Sequence, residues 1–509
     1  MCRSDFQVEV SDFKLALWIN FLETSTIKPM TGWAQYAKIE SRSAAHLQGK
    51  YRMFKRLMVA TVLSTVATNS FAQEESFPIL FTNVHVFDGV NEERIENANV
   101  LVIDNLIAEI STEPLAVANA QIIDGGGRTL MPGMHDQHVH LTVFNPLSDG
   151  LRQNITPFHL GGVATIRSGR ILMNGFTTVR DLGGPAKSIA RIIDTGMFPG
   201  PRIYSSEAFI TQTSGHADFR KLNDRHPTLS GQGPSHWVET DMSFIADGPE
   251  QIRMAVRENL RRGATQIKIM VSGGVTSEFD PLHSLQYQAD EIQMAVKTAA
   301  QWGTYVTCHV FTEEAIRNCI DNGAKTIEHI PFLTKEAAEI MVEKQIMFAT
   351  AVAPVYSVTT EQAEAFYTPA SFVKWKSVRD AAANMIEVIQ TTPGMIDLYT
   401  LGTDLVNNWD QTLEQDKKMN DEIGYLHEAG FSAYDILRIA TSNGARMNQL
   451  TGLNNPYQDG PLGVVEEGAY ADLLLVDGNP LEDILLLAEP DANLKIIMKD
   501  GVIYKNTLD

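Results

Sequence analysis

The sequence predicts an α/β protein with a (β/α)8 barrel of the TIM type and a small β-sandwich domain. Strand-like and helix-like segments alternate through the middle of the chain, while Val- and Ile-rich strand patterns lie near both ends. With 509 residues, of which 44% are hydrophobic, the chain can form a barrel of about 250 residues and a second core. The predicted divisions are a leader over residues 1–72, a β-domain combining 77–130 with 447–509, and a barrel over 131–446.

The leader has the pattern of a secretory signal peptide. Lys55 and Arg56 precede an apolar stretch at 57–67, and a small-x-small cleavage site ends at Ala72. A membrane anchor is the alternative, but the apolar stretch is shorter than the roughly 20 residues that a spanning helix needs. We expect translation to start at Met53, because a preceding segment would block export, and cleavage after Ala72 in a periplasmic or secreted protein.

The charge of the mature sequence restricts its partners. Residues 1–72 hold nine basic and five acidic side chains, so the remainder carries 32 basic and 57 acidic ones, a net charge of −25. Such a surface repels phosphate backbones and anionic membranes. We expect a small-molecule or short-peptide substrate, no nucleic acid and no membrane span. The sequence leaves the oligomeric state open, with a homo-oligomer as one alternative.

Three cysteines are too few for a disulfide framework. Cys2 lies in the leader, while Cys308 and Cys319 fall in a predicted strand and the helix that follows it. We therefore expect Cys308 and Cys319 to be free thiols.

The elements of both domains follow from hydrophobic period and turn residues. Asp500-Gly501 is typical of a two-residue hairpin turn near the C-terminus, and the composition of 210–249 predicts a long loop over the barrel mouth. The predicted β-domain strands are 79–88, 99–110, 120–128, 463–477 and 494–505. The predicted barrel strands are 134–141, 175–181, 201–209, 264–271, 304–310, 325–330, 346–352 and 396–403. The predicted helices include 250–262, 290–302, 313–322, 335–344 and 372–390.

Candidate metal ligands lie where barrel strands end, which is where barrels carry their chemistry. His138 and His140 are two apart on the first strand, so both side chains share a face and can grip one divalent ion. Such a pair alone is more often ordinary core or surface histidine. The later strands supply further candidates in order, namely Lys268, His309, His329 and Asp404.

The composition of this set indicates the metal. Four imidazoles and a carboxylate suit zinc or a similar divalent ion, and they are too many for one tetrahedral site, so we expect two metals. Lys268 has two interpretations. It is either a barrel lysine that extends its ammonium to solvent or a buried amine that reacts with carbon dioxide to form a bridging carbamate.

The chain resembles the amidohydrolase superfamily, in the branch of imidazolonepropionase-like proteins, Xaa-Pro dipeptidases and ochratoxinases. The matching segments are MPGMHDQHVHL, GFTTVRDLGG, TSGHAD, IKIMVSGGVTS, CHVFTEEAIRNCIDNGAKTIEHI, LGTD and EEGAYADLLLVDGNPLEDI. The resemblance implies one metal held by His138, His140 and Asp404, a second held by His309 and His329, and carboxylated Lys268 with a hydroxide bridging them.

The same resemblance implies catalytic roles. The bridging hydroxide attacks an amide carbonyl, and Asp404 accepts its proton and delivers it to the leaving amine. His216 in TSGHAD reaches the substrate carbonyl or oxyanion, with a surface histidine as the alternative. Asp136 either orients a metal-binding residue without contacting the metal itself or caps the strand end.

One position departs from the family pattern. Dipeptidase-like relatives commonly have Tyr, which binds the substrate carboxylate, where this chain has Phe311. Other groups such as Arg220, Arg225 or Tyr287 then bind that carboxylate, or the substrate is not a simple dipeptide.

The predicted function is a secreted binuclear metallohydrolase that cleaves an acyclic amide bond in dipeptides or N-acyl amino acids. One alternative is opening of a cyclic amide or lactone, or deamination, for which a single metal is expected. Another is a protein that kept the fold without catalysis, which is disfavoured because no candidate ligand is missing.

Overall fold

A computed structural model of the protein describes residues 77–144, 156–231, 233–352, 358–407 and 419–508. The predicted leader, with its start at Met53, its cleavage after Ala72 and Cys2, lies outside the described residues. The strands are β1 Ile79–Val86, β2 Ile95–Ile103, β3 Leu106–Ser111, β4 Gln121–Pro132, β5 Met134–Phe144, β6 Phe176–Asp181, β7 Arg202–Ser205, β8 Phe209–Thr211, β9 Ser243–Ile245, β10 Ile267–Met270, β11 Val306–Val310, β12 Thr326–His329, β13 Met347–Thr350, β14 Tyr399–Leu401, β15 Leu405–Asn407, β16 Leu473–Val476, β17 Leu494–Lys499 and β18 Val502–Asn506.

Most of the helices lie between or after the strands of the predicted barrel. They are α1 Pro157–Met173, α2 Lys187–Asp194, α3 Pro227–Ser230, α4 His236–Glu239, α5 Pro249–Arg262, α6 Ala289–Ala300, α7 Glu313–Asp321, α8 Lys335–Glu343, α9 Thr360–Phe366, α10 Pro369–Thr391, α11 Met395–Leu398, α12 Asp421–Glu428, α13 Ala433–Ala440, α14 Ser442–Gln449 and α15 Pro490–Asn493. No helix in the described ranges is long and apolar enough to cross a membrane.

Strands from both chain ends form one seven-stranded sheet in the order β18-β17-β16-β4-β1-β2-β3. The long strand β4 joins the two ends, because it pairs with β1 on one side and with β16 on the other. Hydrogen bonding therefore makes a single sheet where two sheets of a sandwich were predicted. The hairpin at Asp500-Gly501 occurs as predicted, with positive φ at both residues.

The segment 99–110 is a hairpin rather than the single predicted strand. β2 and β3 pair antiparallel on either side of Asp104, which has φ +54°. An aspartate tolerates this left-handed conformation better than most residues, so a turn forms inside the Val- and Ile-rich run.

The strands of the predicted barrel are all present, divided between two parallel sheets. Their orders are β14-β13-β12-β11-β10-β8-β9 and β15-β5-β6-β7. The Asp404 amide donates to the His138 carbonyl at 2.8 Å, and the Thr265 amide donates to the Ser205 carbonyl at 2.8 Å, so hydrogen bonds join the sheets at two places. The middle of β5, at His138, consequently lies beside the segment that follows β14.

Local sequence explains the helices that pack on these sheets. The five predicted helices occur within three residues of the expected bounds. Thr312 and Thr334 cap α7 and α8 by accepting from Ala315 and Ala337 amides, respectively. Each helix buries one apolar side against the main hydrophobic core.

The segment 210–249, predicted to be one long loop, contains regular secondary structure. It contains the end of β8, the short helices α3 and α4, and strand β9, which pairs with β8 in parallel. These elements have only three or four residues each, which is too short to give a clear periodic pattern.

The prediction of free thiols at Cys308 and Cys319 is wrong. The two residues form a disulfide between β11 and α7, with their Cα atoms 6.5 Å apart. Helix α7 packs directly on the strand that precedes it, so a cysteine on its buried face meets Cys308.

Candidate metal centre

A carboxylate that follows β14 meets two imidazoles from the middle of β5 and one from the end of β12. Asp404 Oδ1 lies 3.1 Å from His140 Nε2 and 3.5 Å from His138 Nε2, and Asp404 Oδ2 lies 3.8 Å from His329 Nδ1. Potential ligand atoms of His138, His329 and Asp404 all lie within 4.8 Å of one another. These three residues are therefore close enough to share an ion.

The remaining predicted ligands line the same cavity. The His309 ring is centred 4.4 Å from the His329 ring. Lys268 is only 1% exposed, and its Nζ has no hydrogen-bond partner in the described part of the chain. The structure thus brings all six predicted residues together around one cavity, namely His138, His140, Lys268, His309, His329 and Asp404.

The protonation states of these groups fit metal binding. Burial, reinforced by nearby positive groups, holds the pKa of His138, His309 and His329 well below the ordinary value. Burial would raise the pKa of Asp404, but His138 and His140 outweigh it and lower that pKa to about 2. At neutral pH His138, His309 and His329 are therefore neutral and Asp404 is ionised, which are the forms that bind divalent metals.

The lysine fits the carbamate interpretation. Burial lowers the pKa of Lys268 to about 8, so a larger fraction of its amine is unprotonated near neutral pH than for a lysine in solvent, although the ammonium still predominates. An unpaired buried ammonium is costly, and conversion to a carbamate would remove that cost and add an anionic ligand.

Glu328, which was not among the residues predicted from the sequence, supports His138. Its Oε2 lies 3.0 Å from His138 Nδ1, and its Oε1 accepts from Arg180 Nη2 at 2.6 Å. This leaves His138 Nε2 directed at the cavity. The sequence did contain a signal for this role. Glu328 is an acidic residue directly before His329 in a predicted strand, and a buried carboxylate needs a partner.

Asp136 links two ligand-bearing segments. Its Oδ1 accepts from the amides of His138 at 3.0 Å and Thr403 at 3.1 Å, and its Oδ2 accepts from the Thr403 hydroxyl at 2.6 Å. These hydrogen bonds fix the backbone at His138 and at Thr403, which directly precedes Asp404. Gly402 is required here, because a β-carbon at this position would lie 2.9 Å from His138 Cβ.

His216 and Phe311 lie on either side of His309, the predicted ligand in β11. The His216 ring stacks on His309 with centroids 4.2 Å apart, and the Phe311 ring stacks on His309 at 4.7 Å. A neighbouring cavity, also lined by Asp404, contains both flanking residues. His216 and Phe311 are therefore placed where a substrate that reaches Asp404 would contact them.

The structure does not bring two of the predicted carboxylate-binding residues to these cavities. The Tyr287 hydroxyl is buried and donates to the Ala246 carbonyl at 3.0 Å. Arg220 binds Asp218 through two nitrogens, at 2.7 and 2.6 Å. Both side chains are held by intramolecular partners.

The sequence matches the amidohydrolase family over residues 129–504. The chain belongs to this family. A curated relative of this amidohydrolase is ochratoxinase from Aspergillus niger, 29% identical over 429 residues that cover 81% of this chain and 84% of the relative.

Solved structures agree with this assignment. A prolidase complexed with N-methylphosphonate-L-proline is 31% identical, has a TM-score of 0.75, and is matched over 84% of this chain and all of its own. A Xaa-Pro dipeptidase with bound methionine in the active site is 26% identical, with a TM-score of 0.71 and the same coverage. This amidohydrolase lies in the ochratoxinase-related branch and is a hydrolase acting on carbon–nitrogen bonds.

Proposed function

We propose that the protein is a secreted, binuclear metal-dependent amidohydrolase that cleaves acyclic amide bonds in dipeptides or N-acyl amino acids. The observation that supports this most directly is that Asp404 meets three imidazoles beside the amine of Lys268, which has no hydrogen-bond partner among the described residues. The prolidase and dipeptidase relatives act on amide bonds of this acyclic type.

The donor set suits two divalent ions, with zinc favoured by the imidazole ligands. His138, His140 and Asp404 would hold one ion, His309 and His329 the other, and Lys268 as a carbamate would contact both. When bound, such ions supply a nucleophile from water at neutral pH and polarise the scissile carbonyl.

The chain itself supplies proton transfer and orientation. Asp404 is ionised at neutral pH, so it is able to accept a proton from water and pass it to the departing nitrogen. His216 would contact the carbonyl oxygen of the substrate from the side of His309. Glu328 and Asp136 would keep His138 aligned throughout.

The cavity next to the centre favours an uncharged substrate side chain. Its described lining has no Arg or Lys. Burial, with the charge of Asp404, raises the pKa of Tyr367 to about 12, so its hydroxyl remains protonated and is able to donate a hydrogen bond. The apolar part of the described lining consists of Val275, Phe311, Pro331, Ala351, Trp375, Val378, Ala382 and Met385.

The proposal includes export of the protein and a closed (β/α)8 barrel. Disulfides persist in oxidising compartments, so the bond between Cys308 and Cys319 supports the export inferred from the signal-peptide pattern. The hydrogen bonds from Asp404 to His138 and from Thr265 to Ser205 support the interpretation of the two parallel sheets as arcs of one (β/α)8 barrel.

A substrate panel with metal analysis tests the function. Protein loaded with zinc and bicarbonate should cleave at least one dipeptide or N-acyl amino acid and should bind two metals per chain. Lys268→Met, which is similar in size, should bind fewer metals and lose activity. Two bound metals with no turnover would reject the substrate class, and one bound metal per chain would favour deamination.

A further inference from the structure

A second polar cluster lies behind His216, away from the metal centre. Asp280, which is only 1% exposed, belongs to the segment after β10. Its Oδ2 lies 3.0 Å from His216 Nδ1 and accepts from the Gly274 amide at 2.9 Å. Its Oδ1 accepts from Lys374 Nζ at 3.0 Å. One carboxylate thus joins a cavity histidine to a buried lysine.

Lys374 anchors this segment to a distant helix. The residue lies in α10 and is 9% exposed. Besides Asp280 Oδ1, its Nζ donates to the carbonyls of Gly274 at 3.0 Å, Ser277 at 2.8 Å and Asp280 at 2.6 Å. All these acceptors belong to the segment 274–280, so this segment both neutralises the ammonium and supplies its hydrogen-bond acceptors.

The ring of His216 is constrained from several directions. Its backbone amide donates to Gln286 Oε1 at 2.9 Å, and Ser277 Oγ lies 2.8 Å from Nδ1. A β-carbon on Gly274 would lie 2.3 Å from His216 Cε1, so the ring rests directly on the glycine backbone. Stacking on His309 closes the opposite side.

The carboxylate determines which nitrogen faces the substrate. An ionised carboxylate only accepts hydrogen bonds, so His216 Nδ1 carries the hydrogen in this contact. Burial would raise the pKa of Asp280, but the hydrogen bond from His216 and the positive charge of Lys374 help to hold it below its usual value. With Nδ1 occupied, Nε2 is the nitrogen left for a substrate.

We propose that Asp280 is a positioning residue for amide cleavage, which holds His216 by Nδ1 so that Nε2 meets the substrate, and that Lys374 secures Asp280 to α10. The inference rests on the proposed function. It also explains why α10, which carries cavity residues such as Trp375, is joined by a buried lysine to the segment that holds His216. The apolar wall and the histidine then form one hydrogen-bonded unit.

A double-mutant cycle on a cleavable panel substrate tests the proposal. Asp280→Asn should lower kcat by roughly 100-fold, because loss of the orienting carboxylate allows the wrong imidazole tautomer, while KM and metal content stay near wild type. His216→Ala should cause a loss of at least that size. In the His216→Ala background, Asp280→Asn should cause little further loss, because both substitutions remove the same function.

Asp218 provides a matched control, since it is a buried carboxylate close to His216 that pairs with Arg220 instead. Asp218→Asn should lose stability yet keep kcat within about threefold of wild type. Asp280→Glu, which retains the charge, should recover part of the activity lost in Asp280→Asn.

Several results would overturn the inference. One is that the decreases in kcat caused by Asp280→Asn and His216→Ala multiply in the double variant. The others are that Asp280→Asn changes only KM, or that it loses metal. If Asp280→Asn does not fold, Lys374→Gln tests the same contacts, and its kcat loss must also disappear in the His216→Ala background. If the wild-type protein cleaves no amide, the proposed function is wrong. If it does cleave an amide but the two kcat losses multiply in the double variant, only this inference is wrong.

Discussion

Glu328 Oε2 lies 3.0 Å from His138 Nδ1, in a buried contact at the candidate metal centre. The other oxygen of Glu328 accepts from Arg180, whose side chain is also fully buried. A histidine held at Nδ1 by a carboxylate presents Nε2 to a metal, and such support commonly contributes 10- to 100-fold in metal affinity.

Glu328→Gln should therefore weaken zinc binding by roughly 10- to 100-fold. It should also lower the free energy of unfolding by about 3 kcal/mol, because it leaves the Arg180 guanidinium buried without its counter-charge. Zinc titration and urea unfolding measure the two effects. Glu258→Gln is the control, since Glu258 pairs with arginines on an outer helix. Unchanged zinc affinity in Glu328→Gln would contradict the orienting role.

Trp375→Ala should raise KM for substrates with large apolar side chains by roughly 10- to 100-fold and leave small-side-chain substrates nearly unaffected. The indole is buried, lines the cavity beside the candidate metal centre and stacks on Phe372. Steady-state kinetics on paired substrates measure the ratio. Trp302→Ala is a suitable control, because Trp302 is 46% exposed and does not line this cavity. Equal losses on both substrate types would show that Trp375 does not determine specificity.

Cys319→Ser should lower the free energy of unfolding by about 3 kcal/mol through loss of a disulfide that closes a short loop. Reductant should destabilise the wild type by a similar amount and should leave the Cys308→Ser/Cys319→Ser variant unchanged. Chemical denaturation with and without dithiothreitol gives both values. Two free thiols in unreduced, unfolded protein would contradict the bond.

Asp500→Asn tests an ion pair between the terminal sheet and the parallel strand β7. Asp500 Oδ1 accepts from Arg202 Nη2 at 2.6 Å. Burial would raise the pKa of Asp500, but Arg202 outweighs it and lowers that pKa. A lowered folded-state pKa contributes stability above the unfolded pKa, and this contribution is lost as the pH falls through the folded pKa.

At pH 7 Asp500→Asn should therefore lose up to about 1 kcal/mol of stability, a small value because the carboxylate is partly exposed to solvent. The difference from wild type should shrink as the pH falls below about 4. Asparagine tolerates the positive φ at this position, so the backbone cost is small. Urea unfolding across this pH range measures the effect, and a pH-independent difference would assign it to the turn instead.

Hydrophobic periodicity predicted most elements closely, because strands and helices of the predicted barrel are long enough to show their repeat. Helix 313–322, for example, corresponds to Glu313–Asp321. Prediction failed where elements were very short or where a turn divided one apolar run into two paired strands. The short elements within 210–249 have too few residues for a period, and the hairpin at Asp104 depends on one positive φ.

The sequence by itself determined the set of candidate ligands, because imidazole, amine and carboxylate side chains that recur at successive strand ends are typical of a barrel's catalytic face. Only the tertiary structure decided their supporting partners. Arg180 and Glu328 are 148 residues apart, and Lys374 and Asp280 are 94 apart. Such contacts depend on which buried charges the packed strands and helices bring within hydrogen-bond distance, and no local pattern specifies that.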